Sequence, residues 1–286
     1  MSRTDLVVAT GRTGRRTADG PAPHVSRVLD YLSGGSDYSG PDKELAVQLL
    51  GVSPRLREEV RAHRRHTTRV VKWLAREGYT QFLDLGCGWP YDPGQDEVLH
   101  AHDAARTVHE RVSTVYVDNF GPAHSRAEMS LTNDPGAAAV RADACDVAAL
   151  LAGAPVRARF DMKRPIAALA HGLLEWQDDH QALDLVNGLH AHLPPGSAVS
   201  VTHTATSTQD ERSVLAERYV YAASGIAYHP RSAGHIRALL GRWTVQSPGV
   251  VPTGLWGSGY GEFAQRLPDN AHDLRASYAA VALKSA

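Results

Sequence analysis

Apolar positions change their spacing part-way along this chain. Between residues 23 and 78 they recur at helical intervals. Val25, Val28, Leu29 and Leu32 stop at Gly34-Gly35, and a short helix is predicted over 42–50. Ser53-Pro54 supplies an N-cap residue and a proline for the first helical position. Leu56, Val60, Thr67, Val70 and Leu74 then mark one face of a helix that ends at Gly78. Beyond Gly78 the pattern becomes short apolar runs at 82–85, 115–118, 139–143, 166–170 and 198–203, several ending in a polar residue. Helix-like segments at about 96–111, 125–131 and 180–193 separate them, and 244–247 and 278–283 read as two further strands. Alternating strands and helices predict an α/β fold with a mostly parallel sheet of about seven strands, covered on both faces.

Composition narrows the class. Residues 1–22 carry no hydrophobic period and read as a flexible tail, 23–78 as a helical cap, and 79–286 as the α/β domain. The 30 basic and 31 acidic residues leave a net charge of -1, which argues against a nucleic-acid partner. No run approaches the 18 apolar residues of a membrane helix, and no apolar stretch follows Arg15-Arg16 as an export signal needs, so a cytoplasmic protein is expected. Two cysteines make neither a disulfide framework nor a four-thiolate zinc site. Fifteen histidines invite a metal reading, but His100/His102 and His190/His192 are two apart and diverge on a helix. His63 and His66 are better spaced, without a carboxylate or cysteine pattern to complete a site; no metal is expected.

The strongest chemical signal is Asp84-Leu85-Gly86-Cys87-Gly88, a buried strand running into a Gly-x-Gly turn. Glycines there let the backbone turn sharply and approach a ligand. The third glycine of the dinucleotide fingerprint is replaced by Trp89-Pro90, and the acidic residue before the first glycine favours another adenosine ligand. Asp118, with Asn119 after it, ends the next strand, where a carboxylate can accept from both ribose hydroxyls or cap the following turn. Asp143-Ala144 follows the third strand, where the acid can meet an adenine amine or serve as a helix N-cap. Three acids at successive strand ends share the carboxyl edge of the sheet, where open α/β sheets bind ligands.

These motifs resemble the S-adenosyl methyltransferase family common in actinomycetes, formerly a domain of unknown function. The resemblance rests on the stretch from Arg27 through Gly35 to Asp37, on 82–90, on Tyr116-Val117-Asp118-Asn119, and on 193–197, 202–206 and 248–252, and covers about residues 23–285. It implies a Rossmann-like class I fold binding S-adenosyl-L-methionine (SAM) under an N-terminal helical cap. The chain differs from the family pattern at Ser36 and Tyr38, at 170–176, and at 91–94, near the expected acceptor and methionine ends.

A SAM site needs partners for adenine, ribose, α-ammonium, α-carboxylate and sulfonium. Asp118 suits the ribose, Asp143 the adenine, and Asp84 with the Gly86–Gly88 backbone the methionine end. Arg27 offers a planar fork for the α-carboxylate. Asp30, Tyr31, Asp37 and Tyr38 form an acidic and aromatic cluster suited to a sulfonium, with Tyr31 and Asp37 as candidate catalytic groups. His171, Glu175 and His203 follow strand ends and are candidate bases. The expected function is methyl transfer to a small molecule in natural-product biosynthesis. Intramolecular cyclisation or elimination of SAM, releasing methylthioadenosine, and SAM binding without catalysis are the alternatives. A homodimer remains an open option.

Overall fold

The computed structural model describes residues 22–90, 98–206, 211–257 and 277–285. Three helices open it: α1 (Val25–Ser33), α2 (Gly40–Val52) and α3 (Leu56–Arg76). The helices and strands then alternate as β1 (Gln81–Leu85), α4 (Ala101–Arg106), β2 (Ser113–Asp118), α5 (Gly121–Ser130) and β3 (Ala137–Arg141). They continue as α6 (Val147–Ala152), α7 (Ala154–Arg159), β4 (Ala167–His171), α8 (Asp179–His192) and β5 (Ala198–Thr204). Last come α9 (Glu211–Ala223), α10 (Ala233–Leu239), β6 (Thr244–Val245), β7 (Val251–Pro252) and β8 (Ser277–Leu283). The strand order is β3-β2-β1-β4-β5-β8-β6, with β7 also paired to β8. β1 to β5 are parallel, and β8 runs antiparallel to its neighbours. The sheet is Rossmann-like and doubly wound. Its direction of winding reverses between β1 and β4, which opens a crevice at their carboxyl ends.

Strand alternation distributes the core. Leu83, Leu85, Val115, Val117, Ala168 and Ala170 face one layer, under α6, α8 and α10. Phe82, Tyr116, Ala167 and Leu169 face the other, under Val70, Val71 and Leu74 of α3 and Ala101, Ala104 and Ala105 of α4. A third cluster joins Val28 and Leu32 of α1, Leu45 and Leu49 of α2, Leu56 of α3 and Tyr221 of α9. Thus α3 belongs to the sheet along its second half and to the cap at its start. No helix among the described residues is long and apolar enough to cross a membrane.

Some expected boundaries move. Ser53-Pro54 does not start the third helix: the Ser53 N–H closes α2 on the Leu49 carbonyl (2.7 Å), and α3 begins at Leu56. β3 covers 137–141 rather than 139–143, because its pairing runs from Thr114↔Ala137 to Asp118↔Arg141 and ends with β2. Of the helix expected at 96–111, Ala101–Arg106 is helical among the described residues. The expected tail, apart from Ala22, lies outside the described residues.

Candidate functional site

A cavity of about 1210 Å³ occupies the carboxyl edge of the sheet, below α1 and the start of α3. That exceeds the volume one drug-sized ligand needs. The glycine loop forms its floor. Gly86 and Gly88 have φ of 63° and 65°, backbone that favours glycine. A Cβ on Gly86 would lie 2.6 Å from Leu173, while one on Gly88 would meet nothing within 4 Å. The first glycine therefore permits close packing against the segment after β4, and the second leaves the loop backbone open.

Asp118 organises this floor. It is 8% exposed; its Oδ2 accepts from the Gly88 N–H and its Oδ1 from the Phe120 N–H, both at 2.8 Å. An ionised carboxylate has about four acceptor positions, so two remain after the backbone is satisfied. Asp84 lines the cavity from the end of β1. Burial, with the Asp118 charge behind it, pushes its carboxyl up to about 7. Asn119, Asp143 and Ala144 also line the cavity. Asp143 is exposed, and its Oδ1 accepts from the Cys145 N–H at 2.9 Å. The site fits the adenosyl ligand's donors and cations: a tied carboxylate with spare acceptor positions, a half-buried carboxyl that a cation would relieve, and an open glycine backbone.

Residues of α1 and of the loop after it wall the cavity and are held by a few polar ties. Asp30, 4% exposed, accepts from the Asp37 N–H at 2.9 Å through Oδ2. A Cβ on Gly35 would lie 2.0 Å from Asp30 Oδ1, so a larger residue there would have to displace the Asp30 side chain. Asp37 Oδ2 takes the Trp89 indole N–H (3.0 Å) and pairs with Arg126 of α5 (3.2 Å), joining the cap to the glycine loop and to α5. His24 stacks on Phe120 with ring centroids 3.5 Å apart. Asp30 and Asp37 line the cavity; Arg27 and Tyr31 do not. Arg27 Nε donates to the buried Asp42 at 2.6 Å, and its guanidinium lies over Phe120. Asp42 also accepts from the His24 N–H (2.8 Å) and from Ser39. Burial pushes the Asp42 carboxyl up, but the Arg27, Ser39 and His24 hydrogen bonds outweigh it and hold it below its ordinary value. Tyr31, one position round the helix from Asp30, packs edge-on against Tyr38 and under Arg57. Two cations in the cavity wall, Arg64 of α3 and Arg126 of α5, act on the Asp30 carboxyl, Arg64 more strongly. Sequence reading passed over Arg64 because it belongs to a charge-rich helix with no motif of its own.

The expected bases separate. His171 lines the cavity, but both its nitrogens are engaged, with Thr67 Oγ1 and Ser200 Oγ, each at 2.8 Å. Burial, then the His63 charge, lowers its pKa to about 3. His203 is a correction: alternation along β5 turns it to the face opposite Thr202 and Thr204, where it contacts the Thr204 carbonyl and Arg231 at 2.8 and 2.9 Å. Glu175 does line the cavity, 3% exposed, in a 3-10 turn at Leu174–Trp176. Its Oε1 accepts from Thr204 Oγ1 at 3.2 Å, and burial pushes its carboxyl up to about 7. Tyr221 and Tyr228, which no motif singled out, complete this end of the cavity.

Comparison with known proteins adds to this geometry. A family model described as S-adenosyl methyltransferase matches residues 12–285. The crystal structure of a candidate methyltransferase from Thermobifida fusca superposes with a TM-score of 0.82 at 28% identity, covering 93% of this chain and 96% of that one. A duf574 family protein from Streptomyces avermitilis gives 0.80 at 28% identity, covering 92% and 98%. Magnesium protoporphyrin IX methyltransferase from Synechocystis, with bound SAH, shares the fold at a TM-score of 0.50 and 13% identity, over 90% and 93% of the two chains. Among curated proteins, none matches this chain.

Proposed function

The chain belongs to the S-adenosyl methyltransferase family, and on that premise we propose that it moves the SAM methyl group to a small-molecule acceptor held beneath α1 and α3. The observation that carries this reading is the convergence of Asp84, Asp118 and Asp143 with the open Gly86–Gly88 backbone on one cavity at the winding reversal of the sheet.

Bound SAM supplies an electrophilic methyl on a sulfonium. The chain's residues bind and orient it. Asp118 accepts from the ribose hydroxyls with the lone pairs its backbone bonds leave free. Asp143 and the Ala144 backbone meet the adenine edge. Asp84 takes the α-ammonium, which offsets the cost of keeping this carboxylate ionised at the cavity floor. Arg64 replaces Arg27 as the partner of the α-carboxylate. Asp30 and Asp37 hold the cap over the reacting end through the Gly34-Gly35 bend and Trp89, and they exclude water there. Glu175, with its pKa near neutrality, can move a proton at the acceptor. A place in natural-product biosynthesis is part of the proposal.

The test is mass spectrometry of the protein incubated with SAM, first alone and then with candidate acceptors, after calorimetry has measured binding of S-adenosylhomocysteine (SAH). Binding of SAH, an inert SAM-only reaction and acceptor-dependent SAH formation are expected. Methylthioadenosine with a cyclised or eliminated four-carbon amino acid from SAM alone would replace methyl transfer by intramolecular displacement. No SAH binding would end the reading.

A further inference from the structure

The cavity has a second end that the adenosyl contacts leave unused. Leu173 packs against Gly86, and the chain then turns through Glu175 and Trp176. Trp176 meets Tyr221 at 5.2 Å and Tyr228 at 5.3 Å between ring centroids, and the two tyrosines lie 4.8 Å apart. All three rings line the cavity. The Trp176 indole N–H is spent on the Gly172 carbonyl (2.8 Å), and Tyr228 OH donates to Glu217 at 3.1 Å. These bonds fix the Trp176 and Tyr228 rings. Beside them Glu175 Oε2 is buried with no hydrogen-bond partner among the described residues. A buried acceptor left unmatched costs stability unless a ligand satisfies it.

Three carboxyl groups, of Glu59, Glu175 and Glu217, face this end, with the Arg231 charge acting on Glu175 from behind. The charges acting on Tyr221 are the carboxylates of Glu217, Glu175 and Glu59. Arg231, behind the 3-10 turn, is committed to the Leu174 and Gln177 carbonyls and to Asp179. Arg61 and Arg64 line the cavity from α3, where the Arg64 charge acts on Asp30 in the cap. Aromatic faces with a carboxylate oxygen in a desolvated chamber select a cation.

We propose that the Trp176–Tyr221–Tyr228 end is the acceptor subsite, that it takes a small molecule bearing a protonated amine, and that Glu175 accepts the ammonium proton. This rests on the methyl-transfer reading of the same cavity. The Glu175 carboxylate takes one N–H proton, leaving a neutral amine and a carboxylic acid. The freed nitrogen lone pair forms the N–C bond to the methyl as the C–S pair returns to sulfur. The sulfonium becomes a thioether, and the positive charge passes to the methylated nitrogen, still facing the rings.

The experiment loads the protein with SAH and titrates three probes of one skeleton: phenethylamine, 2-phenylethanol and 3-phenylpropanoate, read by calorimetry and tryptophan fluorescence. The ammonium should bind at least about tenfold more tightly than the alcohol or the carboxylate, as a desolvated cation–π contact with a carboxylate partner implies. Glu175→Gln, which keeps the shape, and Tyr228→Leu, which removes a ring, should each erase most of that preference while SAH affinity stays within about twofold. Equal binding of the three probes, a preference for the anion, or an unchanged preference in Glu175→Gln would overturn the assignment. Loading separates the two readings: if SAH fails to bind, both fall, and if SAH binds while the ammonium is not preferred, only the amine subsite falls.

Discussion

SAM affinity should rise as pH is raised from about 5.5 to about 7.5, with Asp84 responsible. In the ligand-free protein, burial and the Asp118 charge hold the Asp84 carboxyl at about 7, so it is protonated at the lower pH. An α-ammonium beside it needs the ionised form, so binding below pH 7 releases a proton. For a group titrating at about 7, a ligand that requires its ionised form is weaker by about 25-fold at pH 5.5 than at pH 7.5, roughly 1.9 kcal/mol. The ligand's own amine, with an ordinary pKa of about 7.7–8.0, keeps most of its charge over this range. Calorimetry of SAH binding in buffers of different ionisation enthalpy reads both the affinity and the protons released. Glu175 also titrates near 7, so the series is repeated in Glu175→Gln. Asp84→Asn should flatten the profile and abolish the proton release. Without ligand, the stabilising contribution of a raised carboxyl is full below its unfolded value near 3.8 and is lost as pH rises through about 7. Asp84→Asn should therefore stabilise the empty protein above pH 7 while weakening the ligand. A flat wild-type profile, or a slope that survives Asp84→Asn, would refute the pairing of Asp84 with the ammonium.

Asp118→Ala removes two loop hydrogen bonds and the acceptor for the ribose, and charge-assisted bonds lost at about 3 kcal/mol in sum should weaken SAH by about 100-fold by calorimetry; a change under threefold would contradict the ribose role. Gly35→Ala drives a Cβ into Asp30 and should lower stability by about 1–3 kcal/mol in urea unfolding, with SAH binding weakened as the bend shifts; an unchanged midpoint would show that the bend yields. His66 is fully buried with neither ring nitrogen hydrogen-bonded among the described residues, and burial holds its pKa well below the ordinary value. Its neutral form must be kept, so its contribution falls as pH drops below about 6.5. His66→Leu should stabilise the fold by about 1 kcal/mol in urea unfolding and reduce that acid-side loss; destabilisation at every pH would show that its edge contacts with His171 and Trp256 matter more.

The sheet was legible because its strands are short, apolar and separated by helical runs. Asp84, Asp118 and Asp143 could be placed at its carboxyl edge because strand ends in a doubly wound fold converge there. What sequence could not give was orientation. Arg27 and Tyr31 belong to the right helix, but turning by about 100° per residue puts Asp30 into the cavity and Tyr31 on the flank. His203 was lost to strand alternation in the same way. Trp89 was visible as a departure from a glycine fingerprint, yet its bond to Asp37 joins residues 52 positions apart. Tyr221 and Tyr228 carry no local motif, and α9 has weak amphipathic patterning, so nothing along the chain tied them to Glu175.

The dual role of α3 has a mechanical consequence. Its 21 residues form one helix about 30 Å long, rooted in the sheet by Val70, Val71 and Leu74 and walling the cavity at its other end with His63, Arg64 and Thr67. Such a helix is a doorpost, not a door. α1 and α2 are instead tied to each other, because Asp42 of α2 holds Arg27 and His24, so any opening of the cavity should move them as a pair. The contact of Asp37 with Trp89 and Arg126 fastens this pair to the glycine loop and to α5, so loosening it by Trp89→Phe should speed product release.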